Sequence, residues 1–124
     1  MAAKAYRGRG GWFASPFLTI EGNAAYEGEG GWLATPVLTF EGNRIYRGRK
    51  GWWDDPIATV EGEFVYEGRG GWLANSIATL QQTEEGWLVY EGRGGWLAEP
   101  IATVKGGGRM AAACATVYLL LIVV

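Results

Sequence analysis

The chain alternates short apolar stretches with glycine-rich polar segments, and this alternation recurs with a period of about 20 residues. Each period reads Tyr-x-Gly-x-Gly-Gly-Trp-x-x-x-Pro-x-x-Thr-x-Glu-Gly, with small departures between copies. The fourth copy is longer because residues 81–87 lengthen a turn. The five copies are residues 6–25, 26–45, 46–65, 66–89 and 90–106. The sequence therefore divides into a five-repeat domain, residues 1–106, and a glycine hinge with an apolar tail, residues 107–124.

Each copy contains two short stretches whose composition is typical of β-strands. One surrounds the tyrosine, as in residues 64–67 (FVYE), and the other follows the proline, as in residues 56–60 (PIATV). Both are rich in β-branched and aromatic residues, and glycines bound them. The pair Gly42-Asn43 is a common tight-turn sequence. Because no helical period of 3.6 residues runs through the repeats, we expect an all-β domain of about ten short strands.

The charges that follow each tyrosine bear on how the copies are arranged. Their sign changes as a pair from copy to copy, in the charge ladder Arg7 and Arg9, Glu27 and Glu29, Arg47 and Arg49. Opposite charges on neighbouring strands stabilise a sheet by roughly 0.2–1 kcal/mol per pair. This favours a β-solenoid, in which equivalent positions are adjacent. Glu21, Glu41 and Glu61 would repel each other in that arrangement, so a repetitive β-meander is the alternative.

The tail, residues 110–124, carries no charged residue and follows Lys105 and Arg109. It is shorter than the roughly 20 residues that a membrane-spanning helix needs, and its β-branched second half suits a strand at least as well as a helix. Three roles are open: a cap on the chain's own repeats, a segment donated to a neighbouring copy, or a short membrane anchor. The residues predicted to mediate assembly are Val117, Tyr118, Leu119, Leu120, Leu121 and Ile122.

The composition argues against several classes of function. The chain has no histidine and a single cysteine, Cys114, which removes the commonest acid–base catalyst and most zinc, copper and iron sites. A net charge of −2 gives no general attraction to nucleic acid, and glutamates accompany the Arg-Gly-Gly segments that resemble RNA-binding elements. We therefore expect no enzymatic activity, no cofactor, no metal site and no nucleic-acid partner. We also expect no secretory signal, because residues 1–5 lead directly into the first repeat.

Residues 56–68 (PIATVEGEFVYEG) resemble short tandem repeats of bacterial proteins that have no established activity. The resemblance covers residues 5–106 and implies β-hairpin-like units. The copies are also similar to choline-binding repeats in length and in glycine and tryptophan content. Choline-binding repeats cage a quaternary ammonium between paired aromatic rings, whereas most copies here have one Trp and one Tyr six residues apart.

The most plausible binding feature is a ladder of tryptophans at equivalent positions. Such rings can stack on sugars, although they can equally fill the core or the corners of the fold. We expect a non-enzymatic structural protein that self-assembles through its stacked repeats and its tail. The largest assembly of this kind would be a filament at the cell surface. Binding of glycan or cell-wall polymer is one alternative, and a small membrane-anchored surface protein is another. The ladder consists of Trp12, Trp32, Trp52, Trp72 and Trp96.

Overall fold

The computed structural model describes residues 2–10, 14–29, 35–49, 55–69, 76–92 and 99–123. This part of the chain forms ten β-strands, one α-helix and a terminal π-helical segment. The strands are β1 Ala3–Arg7, β2 Leu18–Glu21, β3 Ala24–Glu27, β4 Leu38–Glu41, β5 Arg44–Arg47, β6 Ala58–Glu61, β7 Phe64–Glu67, β8 Ser76–Gln82, β9 Gly86–Glu91 and β10 Ala102–Lys105. The helix α1 is Arg109–Val117, and the π-helical segment is Tyr118–Ile122.

The ten strands form a closed antiparallel barrel. Each strand pairs with its neighbours in the sequence, and the first strand, β1, pairs with the last, β10. In that closing pair Ala5 lies opposite Val104 and Arg7 lies opposite Ala102. The prediction of an all-β protein built from repeated two-strand units is confirmed. The predicted open solenoid is wrong, because consecutive strands pair as hairpins and equivalent positions are two strands apart.

Tight turns at one end of the barrel join the two strands of each hairpin. Between β2 and β3, Glu21 lies opposite Ala24, so that two residues, Gly22 and Asn23, make the turn. The φ angle of Gly22 is +62°, and a glycine with positive φ at the first turn position matches the twist of the flanking strands. The β4–β5 and β6–β7 turns repeat this geometry at Gly42 and Gly62. We call this end the hairpin rim.

A repeated hydrogen bond joins neighbouring repeats. The Thr19 hydroxyl of β2 donates to the carbonyl of Gly28 in the next repeat, at 2.8 Å. The last repeat bonds to the first in the same way. We call the five strand pairs that join neighbouring repeats the seams of the barrel, and all five contain this bond. The other four threonine–glycine bonds are Thr39 to Gly48, Thr59 to Gly68, Thr79 to Gly92 and Thr103 to Gly8.

The lumen of the barrel is filled by the chain's own tail. Strand alternation turns Leu18 and Ile20 of β2 inward, and both are buried. Helix α1 packs against β1, β2, β6, β8, β9 and β10, and residues 111–117 are buried. A barrel of ten strands leaves a space wider than its wall side chains can fill, and the small side chains of residues 111–115 (AAACA) let a helix occupy it. The tail is therefore helical, although its sequence suited a strand equally well.

A glycine hinge directs the chain from β10 into the lumen. Gly107 has a φ of +70°, and a Cβ at this position would lie 2.7 Å from the Cβ of Ala3 and 2.9 Å from that of Ala111. Contacts this short do not occur between real side chains, so the hinge requires glycine here. Because α1 starts two residues later, the hinge sets where the helix enters the barrel.

Candidate functional site

The end opposite the hairpin rim is where all five long connections begin and end. For example, β3 ends at Glu27, β4 begins at Leu38, and residues 28–37 link them. We call this end the loop rim. Each long connection carries one tryptophan of the predicted ladder. The ladder residues Trp12, Trp32, Trp52, Trp72 and Trp96 lie outside the described residues.

A set of half-buried apolar residues marks the points where the long connections re-enter the barrel. At the first of them, the Phe17 amide donates to the carbonyl of Ala5 at 2.9 Å, and the Phe17 carbonyl accepts the amide of Gly28 at 2.9 Å. These bonds continue the backbone hydrogen bonding of the sheet to the residue that directly precedes β2. The equivalent residues also pack against the core, so the loop rim has an apolar lining. The set is Phe17, Val37, Ile57, Ile77 and Ile101.

The end of α1 is fixed to this lining by Tyr118. Its ring stacks on Phe17 with a centroid distance of 5.8 Å and an interplanar angle of 21°. Its hydroxyl donates to Glu27 Oε2 at 2.5 Å, and the Arg7 guanidinium lies 5.5 Å from the centre of the Phe17 ring. Burial, then the hydrogen bond to Glu27 and the charge of Glu27, raise the pKa of Tyr118 to about 12, while Arg7 opposes the rise. Four side chains from three elements and one connection therefore hold the tail at the loop rim.

The charge ladder lies at the loop rim, but its members are not lateral neighbours. Arg7 on β1 lies opposite Ala102, and Glu27 on β3 lies opposite Leu18. An intervening strand separates each repeat's charge from the next, which removes the lateral pairing that favoured a solenoid. Arg7, Glu27 and Arg47 instead continue the inward-facing positions of their strands at the edge of the lumen. The rim thus carries charges of both signs around one opening.

In two repeats, the second charged residue after the tyrosine pairs with an acidic residue in the connection of the neighbouring repeat. Arg9 Nε lies 3.2 Å from Glu99 Oε1, and Arg69 forms an ion pair with Asp55. In both pairs the acidic residue directly precedes a proline of the neighbouring repeat. The four side chains are 61–79% exposed, so each pair contributes about 0–1 kcal/mol. Glu29 and Arg49 occupy the corresponding exposed positions in the second and third repeats.

The residues predicted to mediate assembly have two different environments. Val117 and Tyr118 are buried inside the barrel. Leu119, Leu120, Leu121 and Ile122 are half-buried and pack against the core near the loop rim. Val123, which follows them, is the exposed large apolar residue of the described part of the chain, at 45%. The apolar end of the tail therefore adds to the lining of the loop rim.

Within the described ranges, no three His, Cys, Asp or Glu side chains lie close enough together to hold a metal ion. Cys114 is fully buried in α1, and burial raises the pKa of its thiol to about 12. A thiol of this kind is a poor nucleophile. The described part of the chain also contains no helix that is long and apolar enough to span a membrane.

Sequence reasoning missed the Tyr118–Glu27 hydrogen bond and the apolar lining of the loop rim. A sequence pattern could have predicted the apolar lining. The residue one position after each proline, or after Ser76 in the fourth repeat, is apolar in all five copies. The contact between Tyr118 and Glu27 had no local signal, because 91 residues separate them.

The family model of the 6-fold beta flower protein matches residues 5–111, and the chain therefore belongs to that family. The match includes all five repeats, the hinge and the first turn of α1. The family's description names a six-fold arrangement, whereas this chain carries five copies of the repeat. No curated protein and no solved structure matches the chain at a significant level.

Proposed function

We propose that this member of the 6-fold beta flower family is a non-enzymatic binding module that uses the loop rim to bind carbohydrate polymer. The observation that carries the proposal is the closure of the barrel. Closure brings the ends of five equivalent connections to one rim, and each connection has a tryptophan at the same sequence position. Aromatic rings offer flat apolar faces to sugars, and several weak contacts on one rigid frame add to high avidity.

The described residues of the loop rim suit a neutral, hydroxyl-rich ligand. The equivalent rim positions carry Arg7 and Arg47 in two repeats and Glu27, Glu67 and Glu91 in the other three, so the rim supplies both hydrogen-bond donors and acceptors. This mixture gives a polyanion or a polycation little net attraction. The apolar lining of Phe17 and its equivalents adds surface for the less polar faces of sugar rings.

Sedimentation with insoluble chitin, cellulose and purified peptidoglycan tests the proposal. We expect the full-length chain to be depleted from solution by at least one of these polymers. Trp72→Ala should weaken binding several-fold, and a variant with all five ladder tryptophans changed to alanine should lose it. Trp87→Phe is the matched control, because Trp87 is buried in β9 and belongs to the barrel wall. Failure to bind any polymer, or equal binding by the five-alanine variant, would overturn the proposal.

Self-assembly is a second candidate, and the position of the tail favours a specific form of it. Closure leaves the sheet without the free edges on which the filament hypothesis depended. What remains is exchange of α1 between two copies through the hinge at residues 106–108, since an exchanged helix would make the same contacts in its partner's lumen. Light scattering of the full-length chain tests this idea: a stable dimer that becomes monomeric when the hinge is lengthened supports exchange, and a monomer at all concentrations opposes it.

A further inference from the structure

A pocket of about 400 Å³ opens at the hairpin rim, between the first turn of α1 and the barrel wall. Its wall comes from Ile20 of β2, Phe40 of β4 and Val60 of β6. Met110 and Ala111 of the helix close the opposite side. Volumes of this size are within the range of small-molecule sites in proteins. The pocket is at the far end of the barrel from the loop rim, so it is independent of the proposed carbohydrate site.

The pocket exists because α1 does not contact all parts of the wall equally. The helix packs against β8, β9 and β10 on one side. The wall residues Leu80 and Val104 on that side are completely or almost completely buried. Phe40, which occupies the equivalent position on β4, is only half-buried. The repeats are therefore alike in backbone, but the helix lies off-centre. The space that it leaves is beside the half-buried Phe40 of β4, between the buried residues Ile20 of β2 and Val60 of β6.

The interior of the pocket is lined by apolar side chains, and a positively charged side chain lies at its mouth. Arg109 lines the pocket and is exposed, and neither the lining residues nor the first turn of α1 include a carboxylate to balance it. The glutamates Glu21, Glu41 and Glu61 end their strands at the outward-facing positions of this rim, and none of them lines the pocket. A buried aliphatic chain would gain about 0.8 kcal/mol per CH₂ group, and a carboxylate would pair with the guanidinium.

We propose that this pocket binds a small amphiphilic anion, namely an aliphatic chain of medium length that ends in a carboxylate. The chain lies between Phe40 and Met110, and the carboxylate meets Arg109 at the mouth. Asn43 supports this arrangement from the rim, where its side-chain amide donates to the Val60 carbonyl at 3.0 Å and braces the turn beside the pocket.

Isothermal titration calorimetry of the full-length chain with octanoate tests the proposal, with octanol and octylammonium as ligands of the same chain length. We expect octanoate to bind saturably with one site per chain, octanol to bind more weakly, and octylammonium to bind weakest. Arg109→Ala should weaken octanoate binding about tenfold, which is the usual effect of losing one hydrogen-bonded charge partner. Arg44→Ala is the matched control, since it removes the same charge at the same rim from a residue that does not line the pocket.

A second variant tests the location without changing any charge. Phe40→Trp adds volume at a half-buried wall position and should weaken octanoate binding while Arg109 is kept. Thermal unfolding of every variant shows whether the barrel is intact. No saturable octanoate binding, equal affinity for octanoate and octylammonium, or equal losses in Arg109→Ala and Arg44→Ala would overturn the proposal.

Discussion

The Thr103 hydroxyl, in the fifth repeat, donates a 2.7 Å hydrogen bond to the carbonyl of Gly8 in the first. This bond joins residues 95 positions apart and has the same geometry as the bonds between consecutive repeats. The chain thus uses one local interaction both to order neighbouring repeats and to close the ring. Stability should be shared equally among the five seams.

Replacing Thr103 with valine tests whether the closing seam has the same strength as the others. Valine keeps the shape of threonine and removes the hydroxyl, so we expect a loss of about 1 kcal/mol in the free energy of unfolding. Thr59→Val is the control at an internal seam, and it should cost the same amount. Urea denaturation measures both. A Thr103→Val chain as stable as the wild type, beside a destabilised Thr59→Val chain, would mean that the ring is open.

Tyr118→Phe tests how the end of the tail is held. The substitution keeps the stacking on Phe17 and removes the hydrogen bond to Glu27. Hydrogen bonds to charged groups contribute about 1.5–3 kcal/mol, so we expect the variant to lose stability in the lower part of that range. Val123→Ala, at the exposed end of the same segment, should change stability by less than about 0.5 kcal/mol. Chemical denaturation of the two variants under the same conditions gives the comparison.

The raised pKa of Tyr118 makes stability depend on pH in the alkaline range. The folded chain prefers the neutral phenol, since its pKa rises from 10.0 to about 12 on folding. The stabilisation is complete below pH 10 and is lost as the pH rises towards 12. Between these values the free energy of unfolding should fall more steeply for the wild type than for Tyr118→Phe. Identical slopes for the two proteins would show that Tyr118 ionises as it does in the unfolded chain.

The strands and turns follow from the local sequence, whereas the closure of the ring does not. Gly22 and the β-branched residues of β2 predict a hairpin because turn chemistry and strand propensity act over a few residues. The alternating charges of Arg7, Glu27 and Arg47 are compatible with two arrangements: lateral pairing in a solenoid, or distribution around the open end of a barrel. The local sequence pattern is the same in both. Closure depends on the number of copies and on the stagger of the strands, which are properties of the whole chain.

The conformation of the tail also could not be predicted from its local sequence. Val117 and the residues after it have no strong preference between strand and helix, and the confined lumen decides the outcome because a helix satisfies its own backbone there. The small residues 111–115 fit this space, but their size has a meaning only once the barrel is known. The loop rim could be predicted in part from the recurring tryptophans, whereas the pocket at the hairpin rim could not, because it results from the off-centre position of α1.

A larger side chain in α1, the helix that occupies the lumen, should destabilise the barrel. Ala113 is completely buried in the lumen, so Ala113→Leu inserts three carbon atoms into filled space and should cost about 1–3 kcal/mol. Ala14→Leu makes the same change at an exposed position and should be nearly neutral. Thermal unfolding distinguishes the two. Equal melting temperatures would mean that α1 lies outside the barrel.

Cys114 provides a reporter for release of α1 from the lumen. Its thiol is buried, and its pKa is raised from 9.0 to about 12, so the folded chain should react with a thiol reagent such as DTNB far more slowly than the unfolded chain. The labelling rate measured against urea concentration should rise in step with unfolding. Rapid labelling in native buffer would show that α1 leaves the lumen without unfolding of the barrel.

The five repeats close into a barrel whose first and last strands pair, and a designed cross-link tests this closure most directly. Lys4 lies opposite Lys105 in that pair, and directly opposed residues of antiparallel strands are close enough for a disulfide. In a Cys114→Ala background, Lys4→Cys with Lys105→Cys should give an intramolecular disulfide, and Lys4→Cys with Glu61→Cys, on β6, should give none. Mass spectrometry and non-reducing electrophoresis that show an oxidised monomer for the first pair alone would support the closed barrel. Free thiols or intermolecular dimers from the first pair would contradict it.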